Sequence, residues 1–483
     1  AYPLSCQAPL PCPTTSDHDD CSNILGMTLE VIVLAAGKGT RMRSALPKVM
    51  HDLAGRPLLD HVLETISSLS AQRIHVVCGH GGEIVRKHVG ESGWINWVAQ
   101  VEQLGTGHAV QQALPQVADD AIVLVVYGDV PLVRAQTLGG LLAQAGTNRL
   151  ALLTAQLPNP SGYGRIVRNE DSQVIGIVEE RDASADELDI GEINTGFMAA
   201  PAAALRRWLA MVGSGNDQGE YYLTDIISCA VHEDIDVVTV SCVDGDEVLG
   251  VNSRGELAVA ERLYQARQAE SLMAAGLTLH DPARFDLRGQ LHFGEDCEID
   301  VNVVIEGAVT LGTRVRIGPN CQITDSKIGN GVEVRANSVI EGAEMAENCT
   351  IGPFARLRAG TKLAAGARVG NFVETKNTTF GRDSKASHLA YLGDAQVGQR
   401  ANIGAGVITC NYDGADKHQT VIGDDAFIGS NSALVAPVQV GDGATVGAGS
   451  AISRDVPSGE LALTRAEQKT QHDWRRPQKK KTE

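Results

Sequence analysis

Two groups of residues in this 483-residue chain have the types and spacing to do chemistry. The first opens with Leu34-Ala35-Ala36-Gly37-Lys38-Gly39-Thr40-Arg41-Met42, and Lys48 follows Pro47 shortly after. A glycine-bearing turn after an apolar run lets backbone N–H groups close on phosphate oxygens, while Arg41 and Lys48 bring positive charge to the same anion. The string has the spacing of neither a Walker loop nor a dinucleotide GxGxxG turn. Downstream lie Gln100, the segment Gln103-Leu104-Gly105-Thr106-Gly107-His108-Ala109, and Tyr127-Gly128-Asp129 at the end of a second apolar run. Strand ends of that kind are where an open α/β sheet presents its ligands. Gly162-Tyr163-Gly164-Arg165, Glu179, Glu192-Ile193-Asn194-Thr195-Gly196 and Gly250-Val251-Asn252 complete the group.

The second group lies far along the chain. One segment runs Asn371-Phe-Val-Glu374-Thr-Lys376, then Lys385-Ala-Ser-His388-Leu-Ala-Tyr391-Leu-Gly-Asp394; another runs Asn402-Ile-Gly-Ala405-Gly, then Cys410-Asn411-Tyr412-Asp413-Gly414. A lone histidine is ordinarily structural or solvated. His388 with Lys376, Tyr391 and Asn411 nearby in sequence is a candidate general base. Acylation of an amine needs a group to take the proton and a donor for the thioester oxyanion, and imidazole titrates in the range for the first task.

Different elements must position these groups. From Leu29 to about Val251, short β-branched runs (Glu30–Ala36, Ile74–Cys78, Ala121–Val126) alternate with helical stretches such as Leu58–Leu69 and His108–Leu114. That alternation predicts a doubly wound α/β domain with a largely parallel sheet. Ser253 to about Ala275 carries Leu257, Ala260, Leu263 and Tyr264 at helical spacing, a connecting helix or the last helix of the first domain. Beyond it the period changes to six: Ile299, Ile305, Leu311, Ile317, Ile323; then Ile328, Val334, Ile340; then Met345, Ile351, Leu357, Leu363, Val369; and later Val397, Ile403, Ile422, Ile428, Leu434, Val440, Val446, Ile452. An aliphatic residue every six positions, often followed by glycine, predicts a parallel β-helix of three hexads per coil. Thr375–Gln396 and Gly404–Val421 break the series and are expected to be loops that carry function.

Composition agrees with a globular chain. Hydrophobic residues make 43% and aromatics only 4%, while 52 glycines signal many tight turns. With 41 basic and 59 acidic side chains the net charge is −18, which argues against a nucleic-acid partner, and no apolar run is long enough for a membrane span. The ten cysteines include no CxxC pair and are expected as reduced, packed thiols without zinc. Residues 1–26 hold neither a basic start nor an apolar core of a secretory signal, so they are expected to be a disordered extension ahead of a native start at Met27, and the chain cytoplasmic.

The string LxxGxGTRM…PK resembles nucleotidyltransferases that join a sugar 1-phosphate to a nucleoside triphosphate. With the His388 and Asn411 segments, the chain from Met27 resembles the bacterial bifunctional N-acetylglucosamine-1-phosphate uridylyltransferase and glucosamine-1-phosphate N-acetyltransferase family. The resemblance implies 27–252 as the uridylyltransferase domain, 253–275 as a linker helix and 276–483 as a left-handed β-helix acetyltransferase domain with a basic tail. In the first site it implies Mg²⁺ on Asp129 and Asn252, and Arg41 and Lys48 neutralising the triphosphate of UTP. Leu34, Ala35, Ala36, Gly37, Tyr127 and Gly128 join the binding set. Gln100, Gly105 and Thr106 would contact uracil; Gly164, Glu179 and Asn194 would contact the sugar. One extra residue after Gly164 leaves Glu180 as the alternative to Glu179. In the second site it implies His388 as base, with Asn411 a candidate to orient it. Arg358, Lys376, Tyr391 and Asn402 would hold glucosamine 1-phosphate, and Ala405, Asn411, Tyr412, Ser430, Ala448 and Arg465 would line the acetyl-CoA path. A homotrimer with acetyl sites between subunits is implied as well. The basic tail Trp474–Lys481 is either solvated or a grip on the coenzyme's phosphates. The competing readings are a single-activity sugar-nucleotide pyrophosphorylase whose β-helix only assembles or regulates it, and an effector-binding scaffold without catalysis.

Overall fold

A computed structural model describes residues 28–216 and 218–477, so the expectations for residues 1–26, Met27 and the end of the basic tail lie outside the described residues. The chain divides into two compact units, one ending at Tyr264 and the other beginning at Gln265.

The first unit is built on a nine-stranded sheet. Its main path runs Asp236–Cys242, Arg149–Gln156, Glu192–Pro201, Ile122–Tyr127, Leu29–Ala35, Arg73–Cys78, Ile95–Ala99. Glu192–Pro201 is antiparallel to both neighbours, and the other pairings along the path are parallel. The β-branched runs form these strands because both faces are buried. Val31 and Val33 pack with Leu59, Val62 and Ile66 of the helix Leu58–Ser67, while Ile32 and Leu34 pack on the opposite side with Val110 and Trp208. Two helical layers on one sheet are the doubly wound arrangement expected. A hairpin, Arg165–Arg168 with Val174–Val178, adds to the sheet beside Ile193.

A helix spans Arg254–Ala274. Leu257, Ala260, Leu263 and Tyr264 pack with Met42, Leu53 and Leu58 in the first unit's core; Ala269 belongs to the core of the second.

The second unit is a stack of short parallel strands in which every repeat position named above is buried. Register aligns them into three ladders. Ile305, Ile323, Ile340 and Leu357 stack in one. Leu311, Ile328, Met345 and Leu363 stack in another, and Ile317, Val334, Ile351 and Val369 in the third. These are the three faces of a β-helix coil.

The first expected loop is not a loop. Thr375 stacks on Leu357, Phe380 on Leu363 and Ala386 on Val369, so the coil continues without a break. The aliphatic pattern vanished because the inward slots are filled differently. Thr375 is tolerated because its hydroxyl meets that of Thr361 at 3.0 Å, and buried Phe380 and Ala386 fill the next two inward slots. His388 therefore ends a strand, Lys385–His388, rather than riding a flexible excursion. The second break is a true excursion, but a shorter one. Thr409 still points inward, and the chain leaves only for the Tyr412–Lys417 hairpin before Thr420–Ile422 resumes the stack.

All seven described cysteines are free, and Cys78, Cys242, Cys297, Cys321 and Cys349 are buried. Among the described residues no helix is long and apolar enough to cross a membrane.

Candidate active sites

In the first unit the strands Leu29–Ala35 and Ile122–Tyr127 run parallel and end side by side, opening a cleft of about 580 Å³. The glycine-rich turn forms one wall. Gly39 has φ 58°, and a Cβ there would come within 2.9 Å of Lys48 Cβ, so only glycine lets the turn fold over that lysine. Lys48 Nζ pairs with Asp129 and donates to Asn252 Oδ1 at 2.9 Å. Asp129 comes from the strand end, and its carbonyl accepts from Val251 N–H at 2.9 Å, which draws the Gly250–Asn252 segment alongside. Asn252 N–H in turn donates to Glu256 Oε2 at 2.6 Å.

Leu34, Ala35, Ala36, Gly37, Arg41, Lys48, Gln100, Gly105, Thr106, Tyr127, Asp129 and Asn252 all line this cleft. Gly128 sits just behind it, where a Cβ would press on Leu59, Val49 and Ala35. Gly105, at φ 109°, leaves no room for a side chain against Tyr221 and opens the helix Thr106–Ala113. Gln100 is 4% exposed.

Gly164, Glu179 and Asn194 form a second cluster off the cleft lining. Asn194 N–H donates to Gly164 O at 2.8 Å, and a Cβ on Gly164 would lie 3.3 Å from Glu179 Oε2. Glu180 instead faces Arg165 at 3.8 Å, so Glu179 is the carboxylate beside Gly164. Burial pushes the Glu179 carboxyl up, against the hydrogen bond from Thr224 Oγ1 at 3.1 Å. Burial also raises the Tyr127 phenol, with Glu179 and Asp129 adding to it. Among the described residues no three His, Cys, Asp or Glu side chains gather as a metal-holding group.

The β-helix carries the second set. Arg358 Nη1 donates to Glu374 Oε1 at 3.0 Å, and Lys376 follows on the same strand. Lys417 from the hairpin meets Lys376. That contact holds the Lys376 ammonium below its ordinary range; repulsion from Arg358 adds to the shift, and Asp394 opposes it. Burial alone would raise the Asp394 carboxyl, but bonds from Asn377 and Asn411 and the nearby lysines hold it low. Tyr391 stands in register with Glu374, and Asn402 with Lys385.

His388 stands in register with Asn371, and its Nδ1 meets Asn371 Oδ1 at 2.6 Å. The expectation that Asn411 orients His388 is not met within one chain. Asn411 Nδ2 instead donates to Asp394 Oδ2 at 2.5 Å, and that carboxylate also accepts from Asn377. Ala405, Ser430 and Ala448 fall in one row. Asn431 N–H donates to Ala405 O and Gly449 N–H to Ser430 O, each at 2.8 Å, and Arg465 reaches the end of the row at Gly449. Tyr412 is exposed, its hydroxyl donating to Gly414 O.

Sequence reasoning did not single out Lys417 or Glu256, and it quoted Asn371 without giving it a role. Ser253-x-x-Glu256 is a legible helix-start pattern, with Glu256 N–H on Ser253 Oγ at 3.2 Å. Lys417 sits in the second break and gave no signal beyond its charge.

Family models match in three stretches: a MobA-like NTP transferase domain over residues 31–182, the GMPPB C-terminal domain over 287–426, and a hexapeptide repeat of succinyl-transferase over 419–454. Whole-length relatives are similar throughout. The Bifunctional protein GlmU of Marinobacter nauticus is 55% identical over 451 residues, 93% of this chain and 99% of the relative. That of Alkalilimnicola ehrlichii is 54% identical over 450 residues, 93% and 96% of the two chains. That of an Azoarcus species is 55% identical over 453 residues, 94% and 100%.

Proposed function

The chain belongs to the family of bifunctional GlmU proteins, and from that premise we propose how its residues divide two transfers. The β-helix unit moves the acetyl group of acetyl-CoA to the amine of glucosamine 1-phosphate. The α/β unit moves the uridylyl group of UTP to the phosphate of N-acetylglucosamine 1-phosphate, giving UDP-N-acetylglucosamine and pyrophosphate.

In the α/β unit the backbone of Gly37–Thr40 cradles the triphosphate, and Arg41 and Lys48 neutralise charge as the sugar phosphate attacks in line at the α-phosphorus. No covalent nucleophile is needed, because positioning and electrostatics carry such a displacement. Mg²⁺ fits the residues present. The Asp129 carboxylate and Asn252 amide oxygen are hard ligands, as few as expected when phosphates and water complete the shell, and both already reach one cationic point at Lys48 Nζ. When bound, the ion supplies charge neutralisation and a template for the phosphates. Gln100, Gly105 and Thr106 hold the base; Glu179, Gly164 and Asn194 hold the sugar.

In the β-helix unit the Arg358, Lys376 and Lys417 cations receive the sugar phosphate. With the Asn371 oxygen accepting from Nδ1, the other ring nitrogen of His388 takes the amine proton. Tyr391 and Asn402 flank the sugar, and the row from Ala405 to Arg465 with Asn411 and Tyr412 receives acetyl-CoA. The observation that carries a second activity, against a passive coil, is the pairing of His388 Nδ1 with Asn371 Oδ1 at 2.6 Å on adjacent coils.

We further infer a homotrimer in the cytoplasm. Phe354, Phe372 and Leu389 occupy one corner of successive coils at φ 54°, 56° and 49°, where flanking coils use Asn320, Asn337, Gly406 and Asn431. The two rings stack at 5.3 Å, and all three side chains are about half exposed. Bulky residues are strained at positive φ, so an apolar ladder there argues for a covering subunit.

The test is to incubate the protein with glucosamine 1-phosphate, acetyl-CoA, UTP and Mg²⁺, omitting each in turn. Coenzyme A and pyrophosphate release are followed separately, with the solution mass from light scattering. Absence of either product, or a monomeric mass, removes the corresponding part.

A further inference from the structure

We propose that His108 is a positioning residue for nucleobase choice: through its Nδ1 it fixes the Gln100 carboxamide with the oxygen toward the cleft, so that the α/β unit accepts uracil and rejects cytosine. This rests on the uridylyl-transfer reading above and names how that site tells its base.

The argument is a chain of donors and acceptors. Gln100 Nε2 lies 3.1 Å from Gly105 O and 3.1 Å from His108 Nδ1. A backbone carbonyl only accepts, so the group facing Gly105 O is the amide NH₂. Its two hydrogens are then both engaged, one on Gly105 O and one on His108 Nδ1. An amide nitrogen cannot accept, so Nδ1 must, which places the ring's own hydrogen on Nε2. His108 Nε2 lies 3.1 Å from Gln112 Nε2. Two N–H donors cannot face each other, and because Gly105 O fixes the Gln100 amide it is the Gln112 amide that turns over to present its oxygen to that hydrogen. Gln112 is one turn along the helix Thr106–Ala113 from His108, so the helix itself sets the spacing of this relay. Tyr221 backs the ring at 6.4 Å, and its carbonyl accepts from Gly107 N–H at 2.8 Å.

The consequence falls on the other end of the Gln100 amide. Among the described residues no hydrogen bond reaches Gln100 Oε1, and Gln100 lines the cleft. Turning the amide over would set oxygen against Gly105 O and against an accepting His108 Nδ1, two repulsive contacts for a side chain only 4% exposed. Gln100 is thus held as an acceptor. Uracil offers a ring N3–H to such a group, whereas cytosine carries a lone pair at N3. A freely rotating glutamine would serve either base; the His108–Gln112 relay removes that freedom.

The experiment measures kcat/KM with UTP and with CTP, at saturating N-acetylglucosamine 1-phosphate, for the full chain and for His108→Leu, His108→Asn and Gln112→Met. His108→Leu is expected to lower the UTP-to-CTP ratio at least about ten-fold, mainly through KM, because the amide is freed to turn. His108→Asn, whose side-chain oxygen restores an acceptor beside Gln100, should recover most of the ratio. Gln112→Met should lower it less than His108→Leu, and it carries the test if the leucine variant does not fold. A ratio within about two-fold of the parent in His108→Leu or, failing that variant, in Gln112→Met overturns the proposal, as does a parallel loss with both nucleotides or an asparagine variant no better than leucine. Failure of the uridylyl reading itself looks different: the unaltered protein would release no pyrophosphate from UTP.

Discussion

His388 Nδ1 lies 2.6 Å from Asn371 Oδ1, across neighbouring coils that hold the two residues in register. The pairing holds the ring at Nδ1, and on the proposed reading its second nitrogen takes the proton of the substrate amine. His388→Ala should therefore cut acetylation by roughly 10²–10⁴-fold, mainly in kcat, and leave uridylylation of supplied N-acetylglucosamine 1-phosphate intact. Asn371→Ala should cost less, about ten-fold, since it loosens the base without removing it. A His388→Ala variant keeping more than about a third of the parent kcat would take the base assignment away from this residue.

Asp129 and Lys48 belong to the other unit and its own core. Asp129→Ala should abolish pyrophosphate release while acetylation stays within a few-fold of the parent. Lys48→Ala should lower uridylyl transfer by roughly 10²–10³-fold with the same separation. Parallel loss of both activities in folded protein would contradict a two-site enzyme.

Lys417 meets Lys376 on the β-helix, with Arg358 adding repulsion. Lys417→Ala should raise the KM for glucosamine 1-phosphate by about ten-fold or more, with a smaller effect on kcat. It should also let the Lys376 ammonium return toward its ordinary range, which isotope-edited lysine titration reads directly. Unchanged KM would place the phosphate elsewhere.

Burial raises the Glu179 carboxyl in the folded state, so the folded chain holds that proton more tightly than the unfolded chain does. Stability from this group is undiminished below the unfolded carboxylate range and declines as pH rises through it toward the folded value. Glu179→Gln should therefore raise the melting temperature of the α/β unit at neutral pH and change it little in acid, while weakening use of N-acetylglucosamine 1-phosphate. An equal shift at both pH values would show that the charge is not the cause.

Cys410 is half-buried beside Asn411, on the hairpin side of the coil. Alkylation should inhibit acetylation, acetyl-CoA should slow the loss, and Cys410→Ala should keep substantial activity. Full activity after confirmed modification would separate this thiol from the coenzyme.

Much of this was legible in the sequence because periodicity is a packing requirement. The two-faced strands show as β-branched runs, and the coil shows as aliphatic residues six apart, since a polar side chain inside either ordinarily needs a partner. The legibility failed where a partner existed. Thr375 finds Thr361, and Thr409 exchanges bonds with Gly393, so the inward series continues through residues that do not look like core. The glycine-rich turn with Arg41 and Lys48 was legible as a place for phosphate, which calls for backbone N–H groups and cations together, and Asp129 as a strand end; Asn252 entered only through the family resemblance. Lys417 and Asn371 were not, because their roles depend on which coil lies next to which, and spacing along one strand does not carry that information.

The strand that ends at His388 is the seventh of eleven in its ladder. In a stack where each coil leans only on its neighbours, fraying enters from the two ends and moves inward. Backbone amides should then exchange with solvent fastest in the terminal coils and slowest around Asn371 and His388, a gradient set by position alone. Chemistry placed in mid-stack is insulated from such breathing. Gentle warming should loosen the outermost coils while the histidine and its partner still hold their register.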